Sequence, residues 1–190
     1  MKGIAHGELL PSPWVTRWAS LVRPCGRVLD IACGHGRHLK WFAERHHPVT
    51  GVDRSSDAIA AVAPLGQAVL ADLESGPWPL MIEDRVQTFD AVIVTNYLWR
   101  TLFAVIEQSV APGGVLIYET FASGNETVGK PSNPDFLLQP GELLGAFPEL
   151  RVVAYENGFL DHPSRFVQRL AALRMDESIE SASAPKRSPL

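Results

Sequence analysis

Cysteine is nearly absent from this 190-residue chain, which has only Cys25 and Cys33. The pair flanks one short strand candidate and lies further apart than a disulfide spans, so the reading is two reduced thiols and a cytoplasmic protein. No apolar run approaches bilayer length, which excludes a membrane-spanning helix. Before Pro11 there is one lysine and no long apolar core, so the start does not read as a signal peptide. Excess positive charge is also missing. A formal net charge of −4 offers no broad cationic surface, and neither a nucleic-acid nor a membrane partner is expected.

What is present is an ordinary globular composition. Hydrophobic residues make up 46% and charged residues 20%, enough to build the core of one domain. That domain is expected over residues 1–174, with an arm and helix at 1–24 and a disordered tail over 175–190. Ser12 can cap a helix with Pro13 at its first position, and Trp14, Trp18, Leu21 and Val22 then share a face. Two tryptophans a turn apart read first as core packing, and second as a cover over a ligand mouth.

Residues 27–38 organise the rest. Val28, Leu29 and Ile31 form a short run suited to a strand buried on both faces, with Asp30 near its end. Gly34 and Gly36 follow, then a helical pattern through Leu39, Trp41, Phe42 and Ala43. Pro48–Asp53 reads as a second strand ending in an acid, with a serine cap for a helix carrying Ile59, Val62 and Ala63. Gln67–Ala71 is a third strand, ending at Asp72 and Leu73. Phe89–Thr95 is the most apolar strand candidate and is expected at the centre. A helix with Leu102, Val105 and Ile106 follows, broken by Ala111-Pro-Gly-Gly114, and a fifth strand runs to Phe121. Strands alternating with helices at this spacing predict a parallel sheet covered on both sides.

After Phe121 the pattern changes. Residues 122–139 are rich in Gly, Pro, Asn and Ser and form a candidate substrate lid, with Phe136, Leu137 and Leu138 as its apolar anchor. A short helix is expected over Gly141–Phe147. Leu150–Tyr155 and Phe166–Leu173, separated by Gly158–Ser164, read as an antiparallel pair closing the sheet. The fold class is thus α/β: a doubly wound, seven-stranded, mostly parallel sheet with a C-terminal antiparallel pair.

Asp30, Asp53 and Asp72 stand at the ends of three successive strands, which in such a sheet line one crevice. A dinucleotide fingerprint needs a third glycine, and here that position is Leu39. The row is instead Asp30-x-Ala32-x-Gly34-x-Gly36, with Asp53, Asp72-Leu73 and Pro112-Gly-Gly114 following in order. That set resembles the class I methyltransferases that use S-adenosylmethionine. Within them it is similar to the small bacterial tellurite-resistance-type group, to which the loop Gly129-Lys130-Pro131-Ser132-Asn133-Pro134-Asp135-Phe136 adds a subgroup signature.

The resemblance implies S-adenosylmethionine as cofactor, a small-molecule acceptor and a set of donor contacts. Asp30 would accept from the methionine ammonium, while Ala32, Cys33, Gly34 and Gly36 let the backbone come close. Arg37 would reach the donor carboxylate. Asp53, beside Arg54, would accept from the ribose hydroxyls, and Asp72 with the Leu73 amide would hold the adenine. Asn96 and Tyr97 follow the fourth strand, where the methyl group should face its acceptor. Acceptor contacts are expected from Tyr97, Arg100, Glu119, Asn125, Lys130 and Phe136, with His162 also near the mouth. None has the spacing of a general base, so no catalytic residue is assigned.

His35 and His38 lack the partners of a metal site and read as polar residues at a loop and an exposed helix end. Two other readings stay open: a nicotinamide-dependent oxidoreductase on the same sheet, and a non-catalytic S-adenosylmethionine-binding module. Monomer and dimer are equally compatible with the sequence.

Overall fold

The computed structural model describes residues 10–176, so the arm before Leu10 and most of the expected tail lie outside the described residues. A seven-stranded sheet runs through the centre. Its strands are β1 (Val28–Ile31), β2 (Val49–Asp53), β3 (Gln67–Leu70), β6 (Phe89–Thr95), β7 (Val110–Phe121), β8 (Leu150–Asp161) and β9 (Ser164–Arg174). Between β3 and β6 sits a separate two-residue hairpin, β4 (Met81–Ile82) with β5 (Arg85–Val86), which the sequence pattern does not announce.

The order across the sheet is β3-β2-β1-β6-β7-β9-β8. The first five are parallel, and β9 inserts antiparallel between β7 and β8. Because β1 pairs with β2 on one side and β6 on the other, the order reverses there. In such sheets the ligand crevice opens at that reversal, beyond the carboxyl ends of the strands. The expected architecture is the one observed.

Burial on both faces explains the apolar runs: every residue of β6 is buried. On one face Leu29, Ile31, Val92, Val94, Leu116 and Tyr118 pack beneath Leu102, Ile106 and Phe147. On the other, Val28, Ala91, Ile93, Val115 and Ile117 meet Trp14, Trp18, Leu39 and Phe42. These last come from α1 (Pro13–Trp18) and α2 (Arg37–Ala43). Ser12 caps α1 through its hydroxyl, and Pro13 follows at the first position. The two tryptophan rings meet edge to face at 5.6 Å, and each is 2% exposed. Truncating either to alanine would cost about 3–5 kcal/mol. They are core, as the first reading had it.

Three boundaries move. β7 begins at Val110, ahead of the Pro-Gly-Gly, with an irregularity in its pairing to β6 between Phe89 and Ala91. The C-terminal hairpin is longer than expected: Gly158–Asp161 lies inside β8, and the turn is His162-Pro163. Residues 122–139 hold two 3-10 turns, Asn125–Thr127 and Pro134–Phe136, and a bridge between Ala122 and Leu138. α3 (Ser56–Val62) is capped by Ser55, α4 spans Phe103–Gln108, and α5 (Glu142–Ala146) lies close to the range read for it.

Candidate functional site

The turn after β1 places three residues in left-handed backbone: Ala32 at φ +53°, Gly34 at +52° and Gly36 at +76°. Only glycine is at ease there. The two glycines serve different ends. A Cβ on Gly34 would meet nothing within 4 Å, so the turn faces open space at that point. A Cβ on Gly36 would lie 2.8 Å from Val62, so Gly36 lets α2 approach α3 rather than a ligand.

Asp53, at the end of β2, faces this turn. Its Oδ2 accepts the Gly34 N–H at 2.8 Å and its Oδ1 the Ser55 N–H at 2.9 Å. Beside it lies a hollow of about 130 Å³ lined by Ala32, Asp53, Arg54, the Ala71–Glu74 segment and Tyr97. The ends of β1, β2, β3 and β6 thus converge on one cavity. Asp72 on its rim also starts a turn, accepting from Glu74 N–H at 3.0 Å and Ser75 hydroxyl at 2.8 Å. Those bonds hold its carboxyl below the ordinary carboxylate value. Leu73 is buried beside it.

On the α1/α2 face the apolar rows of the sheet end in a charged layer. Asp30 continues the Val28 row and Thr95 the Ile93 row. Glu119 is the register partner of Thr95 on one side and of Arg169 on the other. Glu119 is fully buried, and its carboxylate accepts from Arg165 at 3.1 Å, Arg169 at 2.6 Å and the Ser12 hydroxyl at 3.1 Å. Arg37 reaches the Thr95 hydroxyl at 3.4 Å. Burial lowers the Arg37 pKa, opposed by the nearby Asp30 and Glu119. Asp30 is 1% exposed: its Oδ2 meets His38 Nδ1 at 3.1 Å, and its Oδ1 is buried without a protein partner.

Of the expected donor contacts, Ala32, Asp53, Arg54, Asp72, Leu73 and Tyr97 line the hollow. Gly34 and Asp30 border it in the chain, and Asn96 is turned to Arg165, whose guanidinium donates to its side-chain oxygen at 3.0 Å. Cys33 is buried. Its thiol is pushed well up by burial, then by the charges of Asp30 and Asp53. It stays protonated, and Cys25 is free as well.

The acceptor-side expectations fare differently. Tyr97 lines the hollow, and its hydroxyl is buried without a partner. Arg100 does not face the crevice: it clamps the loop, donating to Glu142, to the Asp135 carbonyl at 2.6 Å and to the Leu137 carbonyl at 2.9 Å. Asn125 is buried in the loop, its side-chain amide donating to the Pro131 carbonyl and its oxygen accepting the Phe166 N–H. Glu119 lies beneath the site in its ion-pair layer. Lys130 and Phe136 are exposed and do not line the hollow. His162 sits in the β8–β9 turn.

His38 overturns its expected exposure. It is 1% exposed, wedged between Asp30 and the Ser12 backbone. No group of three metal-ligating side chains occurs among the described residues. No helix among them is long and apolar enough to cross a membrane. Sequence pattern missed Arg165 and Arg169 and read Ser12 only as a helix cap; the one available signal was the two arginines four residues apart inside a mostly apolar strand.

Residues 28–114, from β1 to the start of β7, match the methyltransferase domain family. No curated protein matches the sequence. Among solved structures, TehB from Haemophilus influenzae is 17% identical with a TM-score of 0.68, over 84% of this chain and 61% of its own. The chain therefore spans under two thirds of that protein's length. An S-adenosylmethionine-dependent methyltransferase from Methanosarcina mazei is 15% identical at TM-score 0.63, over 89% of this chain and 100% of its own. A TehB-like methyltransferase from Corynebacterium glutamicum is 18% identical at TM-score 0.59, over 86% and 87%. At such identities the structures establish the fold, and the domain match spans 87 of the 190 residues. Over residues 28–114 the chain is similar to that methyltransferase domain family, and in fold it is similar to S-adenosylmethionine-dependent methyltransferases of solved structure.

Proposed function

We propose that this chain moves the methyl group of S-adenosylmethionine to a small-molecule acceptor, the donor lying across the ends of β1, β2 and β3. The observation that carries the placement is the buried, unpartnered Oδ1 of Asp30 beside a glycine turn that faces open space. A buried carboxylate oxygen without a partner costs free energy that an ammonium would recover.

The residues fit the donor. Asp30 would take its ammonium, and the lone pairs of Asp53 not used by Gly34 and Ser55 would take its ribose hydroxyls. The hollow between Asp72, Leu73 and Tyr97 would take its base. When bound, S-adenosylmethionine supplies a methyl carbon already activated by a sulfonium. What remains for the protein is alignment and exclusion of water.

Neither the thiol nor the phenol beside the site offers a base near neutrality. The Cys33 thiol is held protonated, and burial raises Tyr97 to about 12. The site therefore suits an acceptor that is nucleophilic on its own, such as a thiolate or a chalcogen oxyanion, and the guanidinium groups of Arg37 and Arg165 suit a negative one. The two free thiols support a cytoplasmic setting.

Thermal shift with S-adenosylhomocysteine and with NADH tests the cofactor: the first should raise the melting temperature and the second leave it unmoved. The reverse result would assign the fold to the oxidoreductase reading. Labelled donor offered with thiols, selenite, tellurite, phenols and amines then tests the acceptor. Donor binding with no acceptor methylated would reduce the chain to a binding module.

A further inference from the structure

A chain of buried hydrogen bonds runs from the donor end of the site to the helix that covers it. His38 Nδ1 meets Asp30 Oδ2 at 3.1 Å, and His38 Nε2 takes the backbone N–H of Ser12 at 3.2 Å. An amide N–H can only donate, so Nε2 carries no proton and the ring is neutral with its proton on Nδ1, given to Asp30. Ser12 in turn donates its hydroxyl to Glu119 and accepts the Trp14 N–H, both at 3.1 Å. Ser12, Asp30, His38 and Glu119 are 3%, 1%, 1% and 0% exposed, so water takes little part. The charged groups around the imidazole are Asp30 on β1, Arg37 on its own helix and, through Ser12, Glu119 on β7.

We infer that His38 is a positioning residue: it turns the Asp30 carboxylate so that one oxygen is left for the donor's ammonium, and it couples docking of that end to the seating of α1. The inference rests on the donor placement proposed above. Asp30 could rotate about its side-chain bond and offer either oxygen. The Nδ1–H bond removes that freedom, and Oδ1 is the oxygen left unpaired. The second nitrogen binds the residue that caps α1, so the same ring orients both. Whatever strengthens its hold on Asp30 strengthens its hold on Ser12, and the coupling is reciprocal.

Two probes separate this role from a purely structural one. S-Adenosylhomocysteine has the amino-acid end; methylthioadenosine has the same nucleoside without it. His38→Leu should weaken binding of the first about tenfold or more by calorimetry and leave the second within twofold. His38→Asn, whose amide can donate to Asp30, should restore most of that affinity. In the unaltered protein, hydrogen exchange of the α1 amides should slow with S-adenosylhomocysteine and not with methylthioadenosine. His38→Asn is too short to reach Ser12 and should abolish that slowing. Should His38→Leu not fold, the exchange readout in His38→Asn decides.

Equal losses for the two probes, or unchanged affinity and unchanged exchange in folded variants, would overturn the assignment. If the unaltered protein bound neither probe, the donor placement itself would fail. Binding of both without selectivity in the variants would sink the role of His38 alone.

Discussion

Asp53 Oδ2 accepts the backbone N–H of Gly34 at 2.8 Å, so the acid ending β2 and the turn leaving β1 form one unit. Its other oxygen caps Ser55, two residues on. Asp53→Ala removes both bonds and leaves the Gly34 amide without that partner. Binding of S-adenosylhomocysteine should weaken by about 1–3 kcal/mol, through the loss of acceptors for the ribose and a looser turn. Calorimetry measures it, and unchanged affinity would take Asp53 out of the donor site.

Ala32 holds φ +53° in the same turn. A residue with a side chain is strained there by about 1–2 kcal/mol, and glycine is not. Glycine in turn loses more freedom on folding, by roughly 0.5–1 kcal/mol. Ala32→Gly should therefore stabilise the protein by about 0.5–1 kcal/mol in urea denaturation with the slope unchanged. A loss of stability would mean that the alanine methyl packs more favourably than the backbone is strained.

The strand-end acids and the glycine turn could be seen in the sequence because strands buried on both faces read as apolar runs, and Asp30, Asp53 and Asp72 interrupt or end them. Asp53 and Asp72 meet at one cavity because their strands run parallel, while Asp30 lies buried in the charged layer. The charged layer could not be seen the same way. Ser12 and Glu119 stand 107 residues apart, and their bond depends on how α1 seats across the sheet. His38 looked like an exposed helix end because its partners, Asp30 and Ser12, come from two other elements. The place of Arg100 just after β6 suggests the crevice, whereas its bonds run to the loop carbonyls of Asp135 and Leu137, which no local pattern announces. The β4–β5 hairpin has two-residue strands, too short for any periodicity.

Glu119 lies fully buried between Arg165 and Arg169, which are 15% and 12% exposed. Removing one partner of such a set leaves cations uncompensated in a poorly solvated layer. Glu119→Ala should destabilise by about 3–5 kcal/mol in denaturant titration. Glu119→Gln keeps acceptor and shape but not charge, and should cost less than Glu119→Ala. Equal effects would show that the charge, which both variants lack, carries the whole loss and that shape and acceptor contribute nothing.

The buried hydroxyl of Tyr97 has no partner, and burial, together with the charges of Glu74 and Asp72, raises it to about 12. A phenol raised above its ordinary value stays neutral until the pH nears the raised one, so it neither titrates nor acts as a base near neutrality. Tyr97→Phe should leave the pH–rate profile between about 7 and 9 superimposable on that of the unaltered protein. It should also hold or raise stability by up to about 1 kcal/mol, because a desolvated hydroxyl is removed. A hundredfold loss of kcat with unchanged donor affinity would instead place that hydroxyl on the acceptor.

Arg100 ties the turn after β6 to the segment that precedes α5. It donates to the Asp135 and Leu137 carbonyls and forms a two-pronged pair with Glu142. The arginine is 40% exposed, so the ion pair is screened and the bonds to the carbonyls matter more. Arg100→Ala should cost about 1–2 kcal/mol and speed proteolytic cleavage within residues 128–140. Arg100→Lys should recover little, since an ammonium lacks the planar fork that reaches three partners at once. Affinity for S-adenosylhomocysteine should stay within twofold, because the arginine does not line the hollow. Impaired donor binding with normal resistance to protease would return Arg100 to the crevice and make the loop's attachment there incidental.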